Sequence, residues 1–439
     1  MQWRRRGSDQ VRLARLSAAD WDRIALTAVI AGAVIRAAWV LALHPPVDYV
    51  YSDMEGYVDR AVKLASGGPL QRYDAFYPPG THILLAIPLF IFGTDRTGLW
   101  AGALLWWALS SFVPLAMWRF SRYHLTIAAA ALTAVFVSLW PIQITYSGYF
   151  LSETPSLAFL LGSLWLAARA AAVPSARSFL AAGLLGGIAI VNRPALAANL
   201  LVALAALSAR TRIRAAAAIG VGAAAIIALV IVHNSVAAGK LTFISENSGL
   251  VFWGGHCDVR TVRTGDPSTT FFTFSSPPAL QRGSGKDFTF TDHLVWDQDF
   301  FYGMAFDCIR ADGVAHLRTL ARGVLDMTLT SVPWPQVDEP DLGTRIAFVN
   351  AMFSVAIPFI VIGSVWVIRE RRRRGQPAGE AVMLAHFACV LVTALIFYGD
   401  PRYREVYDVF ALALAGAILA RLIGEPPSPE RETAALVGG

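Results

Sequence analysis

The sequence predicts an all-α, polytopic membrane protein, and three observations carry that reading. Hydrophobic residues make up 55% of its 439 residues and charged residues only 15%, with a mean hydropathy of +0.50; soluble domains run to roughly 25% charged. Apolar runs of about 20 residues, enough to cross a hydrocarbon layer of roughly 30 Å, recur along the chain. The arginines gather at the ends of these runs. Inside a bilayer every backbone N–H and C=O must be bonded within the protein, so the runs are read as helices.

The first run, 24–43, follows Arg4, Arg5, Arg6, Arg12, Arg15 and Arg23. It is longer than the apolar region of a signal peptide and has no small-residue cleavage site, so it is expected to be a retained span. Further runs follow at 98–118, 125–146, 154–171, 179–191, 195–207, 215–232, 345–368, 380–397 and 405–422, giving about ten transmembrane helices. With that alternation Arg4–Arg6, Arg119 and Arg122, Arg169 and Arg177, Arg210 to Arg214, Arg369 to Arg374 and Arg421 all fall on one side, which the positive-inside rule makes cytoplasmic together with both termini. The stretch 83–92 is too short to cross and is expected to lie at the interface. Between Arg177 and Arg210 about 15 residues remain for each of the limbs 179–191 and 195–207, or roughly 22 Å of helix, so their apex at Arg193 should sit below the outer boundary, facing a wet cavity.

The expected organisation is a membrane module over 1–233 that includes a first outer loop at 44–97, an extracytoplasmic subdomain at 234–343, C-terminal membrane helices at 344–423, and a disordered cytoplasmic tail at 424–439. The subdomain is marked by turn signals at Gly254-Gly255, Asp266-Pro267 and Pro277-Pro278, and within it 305–329 has the mixed pattern of an amphipathic helix. Cys257 and Cys308 share that compartment, where a disulfide is permitted but not demanded. The net charge of +6 is absorbed by orientation of the chain in the membrane, which argues against a nucleic-acid partner.

The side chains that could carry chemistry sit in the outer segments. Asp53 in Ser52-Asp53-Met54-Glu55-Gly56-Tyr57 could accept a proton from an attacking hydroxyl or bind a divalent ion; its alternative is a solvated loop acid. Glu153, at the outer end of a span, could do the same or merely complement a helix dipole. Arg193 is costly in a membrane and so should face a ligand or pair with Glu153 or Asp53. Arg402 and Arg404 could grip phosphate through paired N–H donors, or be neutralised by Asp400 or Glu405. His82, His256, Cys257 and His293 match no standard zinc spacing, so no metal site is expected from them.

These motifs, in this order, resemble the GT-C superfamily of lipid-linked-sugar glycosyltransferases, in particular the bacterial relatives of protein O-mannosyltransferase and of the aminoarabinose transferase of lipid A. The resemblance is carried by Ser52–Tyr57, by Tyr77-Pro78-Pro79-Gly80 with its short helix, by Ser152-Glu153-Thr154-Pro155, by Gly186 to Pro194, by His233-Asn234 with Ser245–Gly255, and by Pro401-Arg402-Tyr403-Arg404. It implies an inverting glycosyltransferase of the cytoplasmic membrane with an extracytoplasmic site. The donor would be a sugar on an undecaprenyl- or decaprenyl-type phosphate; the acceptor would be a hydroxyl of a glycan, lipid or protein. Asp53 and Glu153 take the family's acidic positions, and Arg193, Arg402, Tyr403 and Arg404 lie where cationic groups hold the donor phosphate. Glu55, Tyr57, Tyr77, His82, Asn234 and His256 are nominated as sugar or acceptor contacts. No cofactor is required, although a magnesium or manganese ion is compatible with the acids. Two departures stand out: Tyr77 replaces the lysine that many relatives carry before the Pro-Pro pair, and no large C-terminal soluble domain is evident. The rival reading, a transporter or flippase of a lipid-linked sugar, would use the same arginines without a base.

Overall fold

A computed structural model describes residues 16–257, 261–263, 271–274, 292–294, 296–329, 335–397 and 399–424. The arginines at 4–15, the turns at Asp266-Pro267 and Pro277-Pro278, and the tail from 425 lie outside the described residues. In chain order the helices are α1 (Ala18–Ala38), α2 (Asp53–Ala65), α3 (Gly80–Phe92), α4 (Arg96–Ser121), α5 (Ile127–Ser138), α6 (Pro141–Tyr146), α7 (Glu153–Ala172), α8 (Ala176–Asn192), α9 (Ala197–Ala205) and α10 (Ala209–Ala238). They continue with α11 (Ser248–His256), α12 (Gln298–Asp312), α13 (His316–Leu329), α14 (Pro340–Arg373), α15 (Glu380–Ile396) and α16 (Pro401–Leu422). Between α11 and α12 a small antiparallel sheet pairs β1 (Thr261–Arg263) with β2 (Phe271–Phe274), and β2 with β3 (Asp292–Leu294). The protein is an all-α integral membrane protein with this one minor addition.

Among the described residues five helical stretches are long and apolar enough to cross a membrane: Ala18–Asp48, Arg96–Ser121, Glu153–Ala172, Thr211–Ala238 and Pro340–Arg373. The remaining predicted spans are shorter or begin with charge. One differs from expectation: the run 125–146 breaks into α5 and α6, because Pro141 at the start of α6 has no N–H to offer the preceding turn. The carbonyls freed at the end of α5 are capped by Arg36, which is fully buried and donates to the oxygens of Ser138 (2.7 Å) and Val137 (3.1 Å). A buried guanidinium is tolerable there because it satisfies backbone acceptors that water cannot reach.

Small residues let the helices close up, as van der Waals packing in lipid demands. Where α8 crosses α10, a Cβ on Gly183 would lie 2.3 Å from the oxygen of Ile219, and one on Gly222 would lie 2.5 Å from that of Leu180. At the centre stands α16, whose Val406 to Leu414 are all buried against α5, α14 and α15; a helix apolar nearly all round belongs in a bundle interior. The short helix α3 buries His82, Leu85 and Leu89 and exposes Phe90, Ile91 and Phe92, as an interfacial helix would. Gly80 allows its start to touch α8: a Cβ there would meet the Asn192 side chain at 2.5 Å.

Between α11 and α14 the predicted amphipathic stretch is two helices, α12 and α13, parted at Gly313, whose φ of 51° suits glycine. Cys257 at the end of α11 and Cys308 on α12 form a disulfide, and Trp253, Phe301 and Ala305 pack around it.

Candidate active site

Four helix ends meet in one place. α2 starts at Asp53, immediately after Ser52, which holds φ 51° and ψ −124°; it is the one non-glycine at positive φ among the described residues. Such backbone costs an L-residue about 1–3 kcal/mol and is found where the surroundings force it. Here it turns the loop so that the first residue of α2 faces inward. α7 starts at Glu153, fully buried. α8 ends at Asn192, with Arg193 leaving the helix in extended backbone before Pro194, as the residue preceding a proline must. α16 starts at Pro401, capped by Asp400, whose Oδ1 accepts from the Arg402 N–H at 2.7 Å.

The side chains at these ends form a closed network. Asp53 Oδ2 accepts from Arg402 Nη1 at 2.8 Å, and its Oδ1 accepts from the Tyr77 hydroxyl at 2.9 Å. Glu153 Oε1 accepts from Arg193 Nη2 at 2.7 Å and also from Arg402 Nε. Arg193 Nε donates to Ser152 Oγ at 3.1 Å, and its guanidinium lies 5.2 Å from the centre of the Tyr403 ring. Two carboxylates and two guanidiniums therefore balance, with Arg402 bridging both acids. Burial, then the neighbouring Asp53 charge, pushes the Tyr57 hydroxyl up to about 12 and the Tyr77 hydroxyl well above the usual phenol range; both remain proton-bearing donors at neutral pH. Arg60, almost fully buried, stacks on Tyr73 at 3.9 Å and Tyr77 at 4.9 Å and so holds Tyr77 toward Asp53.

The network borders a cavity of about 510 Å³ lined by Asp53, Tyr57, Tyr77, Ser152, Arg193, Arg402 and Tyr403. Asn192, Ser245, Asn247 and Ser248 give it a polar wall; Leu250, Trp253, Phe397 and Val406 give it an apolar one. Segments far apart in the chain thus converge on one void.

Other nominated residues lie elsewhere. Glu55 points to solvent from the outer face of α2. His82 is buried in α3 beside His233, with ring centres 5.9 Å apart, and does not border the cavity. Asn234 is buried and donates to the oxygens of Phe243 and Ile244, securing the turn after α10. His256, at the end of α11, meets His316, at the start of α13, at 3.0 Å. Arg404 is turned away from Arg402: it pairs with Asp408 at 2.9 Å and donates to the oxygen of Met327, Ser354 Oγ and Asn350 Oδ1. Successive helical residues turn by about 100°, so positions two apart face nearly opposite ways, and Arg404 is a packing residue of the bundle core. Sequence reasoning missed Ser152, Arg60 and Asn192 as site residues; Asn192 was legible only as the neighbour of Arg193 in a helix-ending Asn-Arg-Pro.

Among the described residues no group of three or more His, Cys, Asp or Glu side chains could hold a metal ion. The two carboxylates that face each other do so across the guanidinium of Arg402, so the residues present do not fit a bridging divalent ion.

No protein-family model and no curated protein matches the sequence. Among solved structures the chain is similar to the oligosaccharyltransferase of Archaeoglobus fulgidus in its apo form, with a TM-score of 0.53 at 13% identity over 94% of this chain and 53% of that one. It is similar also to that archaeal enzyme, AglB, in complex with an inhibitory peptide and a dolichol-phosphate (TM-score 0.51, 13% identity, 94% and 53% covered), and in complex with Zn and sulfate (TM-score 0.50, 13% identity, 90% and 49% covered). The chain spans about half the length of these structures. The likeness runs through nearly the whole of this chain, which therefore shares the fold of the matched half of that archaeal structure.

Proposed function

We propose that this chain is a glycosyltransferase that moves a sugar from a polyprenyl phosphate to an acceptor hydroxyl at the extracytoplasmic face, with inversion at the anomeric carbon. The observation that carries the reading is the convergence of Asp53, Arg193 and Arg402 on one cavity, with Glu153 buried behind them and paired to both guanidiniums. The bound dolichol-phosphate of the archaeal neighbour supports a lipid-phosphate donor.

In the reaction the acceptor oxygen attacks the anomeric carbon from the face opposite the phosphate, its proton passes to the Asp53 carboxylate, and the carbon–oxygen bond to phosphate breaks. The leaving polyprenyl phosphate becomes a monoester and gains a negative charge. Arg193 and Arg402 are preorganised to take up that charge in a water-poor site, while Asp53 removes the proton that would otherwise remain on the new glycosidic oxygen. Glu153 acts by holding both guanidiniums, and Tyr403 supports Arg193 from the side. Tyr77, standing where many relatives have lysine, donates to Asp53 and orients it instead of gripping phosphate. The apolar wall at Leu250, Trp253, Phe397 and Val406 suits the first isoprene units, and the polar wall at Asn192, Ser245 and Asn247 suits sugar hydroxyls.

The test is transfer in proteoliposomes from a radiolabelled polyprenyl-phosphate sugar, with the product's anomeric configuration read by NMR. Inverted product is expected. Movement of the lipid-linked sugar across the bilayer with no glycosidic product would replace this reading with transport.

A further inference from the structure

Arg402 does something that a phosphate clamp does not require: in the resting protein its guanidinium lies between two carboxylates from different helices. Nη1 reaches Asp53 at the start of α2 and Nε reaches Glu153 at the start of α7, while its own N–H is tied to Asp400. Two carboxylates facing each other across a small gap ordinarily call for a hard divalent cation with oxygen ligands. Here that gap is filled by a planar cation whose forked donors match both acids at once. The charges already balance, since Arg193 supplies the second positive charge on Glu153. A divalent ion added to this set would meet the guanidinium of Arg402 at close range in a mostly buried site, an arrangement that burial penalises heavily.

We infer that Arg402 stands in the place of a divalent cation between Asp53 and Glu153. The protein thus functions without added metal, and it becomes a metal-binding protein once the guanidinium is removed. The metal-exclusion half stands on the geometry alone; the activity half rests on the glycosyl-transfer reading.

The experiment uses full-length protein in nanodiscs with Mn²⁺ as the probe, titrated by electron paramagnetic resonance and counted by mass spectrometry of the metal. Wild type and Arg402→Lys, which keeps the charge, are expected to bind no stoichiometric Mn²⁺. Arg402→Ala is expected to bind one equivalent and to lose it when Asp53→Asn or Glu153→Gln is added; Arg402→Gln, closer in shape, serves the same purpose if the alanine variant fails to fold. Stoichiometric Mn²⁺ on wild type that disappears with Asp53→Asn or Glu153→Gln overturns the inference, as does a folded Arg402→Ala or Arg402→Gln protein that binds none. In the transfer assay, activity that persists in EDTA supports it, and activity lost in EDTA and restored by Mn²⁺ overturns it. A wild type inert under all conditions defeats the glycosyl-transfer reading, and the Mn²⁺ titration then decides this inference by itself.

Discussion

Asp53→Asn separates chemistry from binding. The carboxylate has two partners, Tyr77 on Oδ1 and Arg402 on Oδ2. Asparagine keeps an oxygen for Tyr77 and loses the pair with Arg402, since its amide nitrogen is a donor facing a donor. The four charges that balance in wild type then sum to one positive, so an anionic donor phosphate should be held at least as tightly. Proton removal, by contrast, disappears. A positioned general base is worth about 10²–10⁴ in rate, or roughly 3–5 kcal/mol of barrier. The expected result is a fall in turnover of that size, measured with a labelled donor, alongside a donor affinity equal to or above wild type, measured by native mass spectrometry with polyprenyl phosphate. Turnover within a factor of about three of wild type would refute the assignment of a base, well short of that range. A rate loss fully accounted for by weaker donor binding would make Asp53 a binding residue.

Arg193→Ala and Arg404→Ala should fail in opposite ways. Loss of Arg193 removes charge-assisted bonds worth about 1.5–3 kcal/mol, raising the donor Kd roughly 10- to 150-fold with a small change in Tm, because Glu153 keeps Arg402. Loss of Arg404 strands the fully buried Asp408 and should cost about 3–5 kcal/mol, seen as a large fall in Tm with donor affinity intact in the folded fraction. Gly183→Val should separate α8 from α10, read as lost thermal stability in detergent, since its Cβ cannot fit beside Ile219. At the end of α11 burial, then the adjacent His316, holds His256 below its ordinary value of 6.5; the unfolded chain takes up that proton first. Stability of α11 to α13 is therefore complete above pH 6.5 and falls below it, by at most about 1.4 kcal/mol per pH unit for one proton. Hydrogen exchange of the 248–256 peptide against pH measures this, and His256→Gln should flatten the profile.

The membrane fold was legible because lipid forces helices and makes them apolar, so runs such as 98–118 and 154–171 reappear as α4 and α7 with ends shifted by a few residues. The break at Trp140-Pro141 was legible too, through the proline, but was read as part of one span. The disulfide between Cys257 and Cys308 was not decidable, because it depends on how α11 meets α12 across a long intervening stretch. Arg404 was read with Arg402 because they belong to one short motif. The contrary signal lay in the spacing: Arg404 and Asp408 are four apart and face each other on one helix face, whereas Arg402 shares its face with the cavity-lining Val406. Asn234 and His256 could not be placed, since polar residues in a turn-rich segment serve backbone and ligand with the same chemistry.

Helix dipoles sharpen the case for Arg402. Asp53 and Glu153 stand at the N-terminal ends of α2 and α7, and Arg193 at the C-terminal end of α8, each where the macrodipole favours its charge. Any of the three could be there for helix stability alone. Arg402 is at the N-terminal end of α16, where a cation is opposed by about 0.3–1 kcal/mol, and it follows a cap, Asp400, that already satisfies the helix start. Nothing in the folding of α16 calls for an arginine at that position. An arginine set on a helix N-terminus combines two attractions for an anion, the guanidinium and the free N–H end. In the resting protein those attractions are met by Asp53 and Glu153, and an arriving phosphate would compete with them for the same donors. Asp53 is the partner with freedom to yield, because Glu153 is fully buried and paired with both guanidiniums while Asp53 meets one of them and is partly open to the cavity. Donor binding would thus loosen the pair that restrains Asp53 just when a base is needed, which ties activation of the acceptor to the presence of the donor.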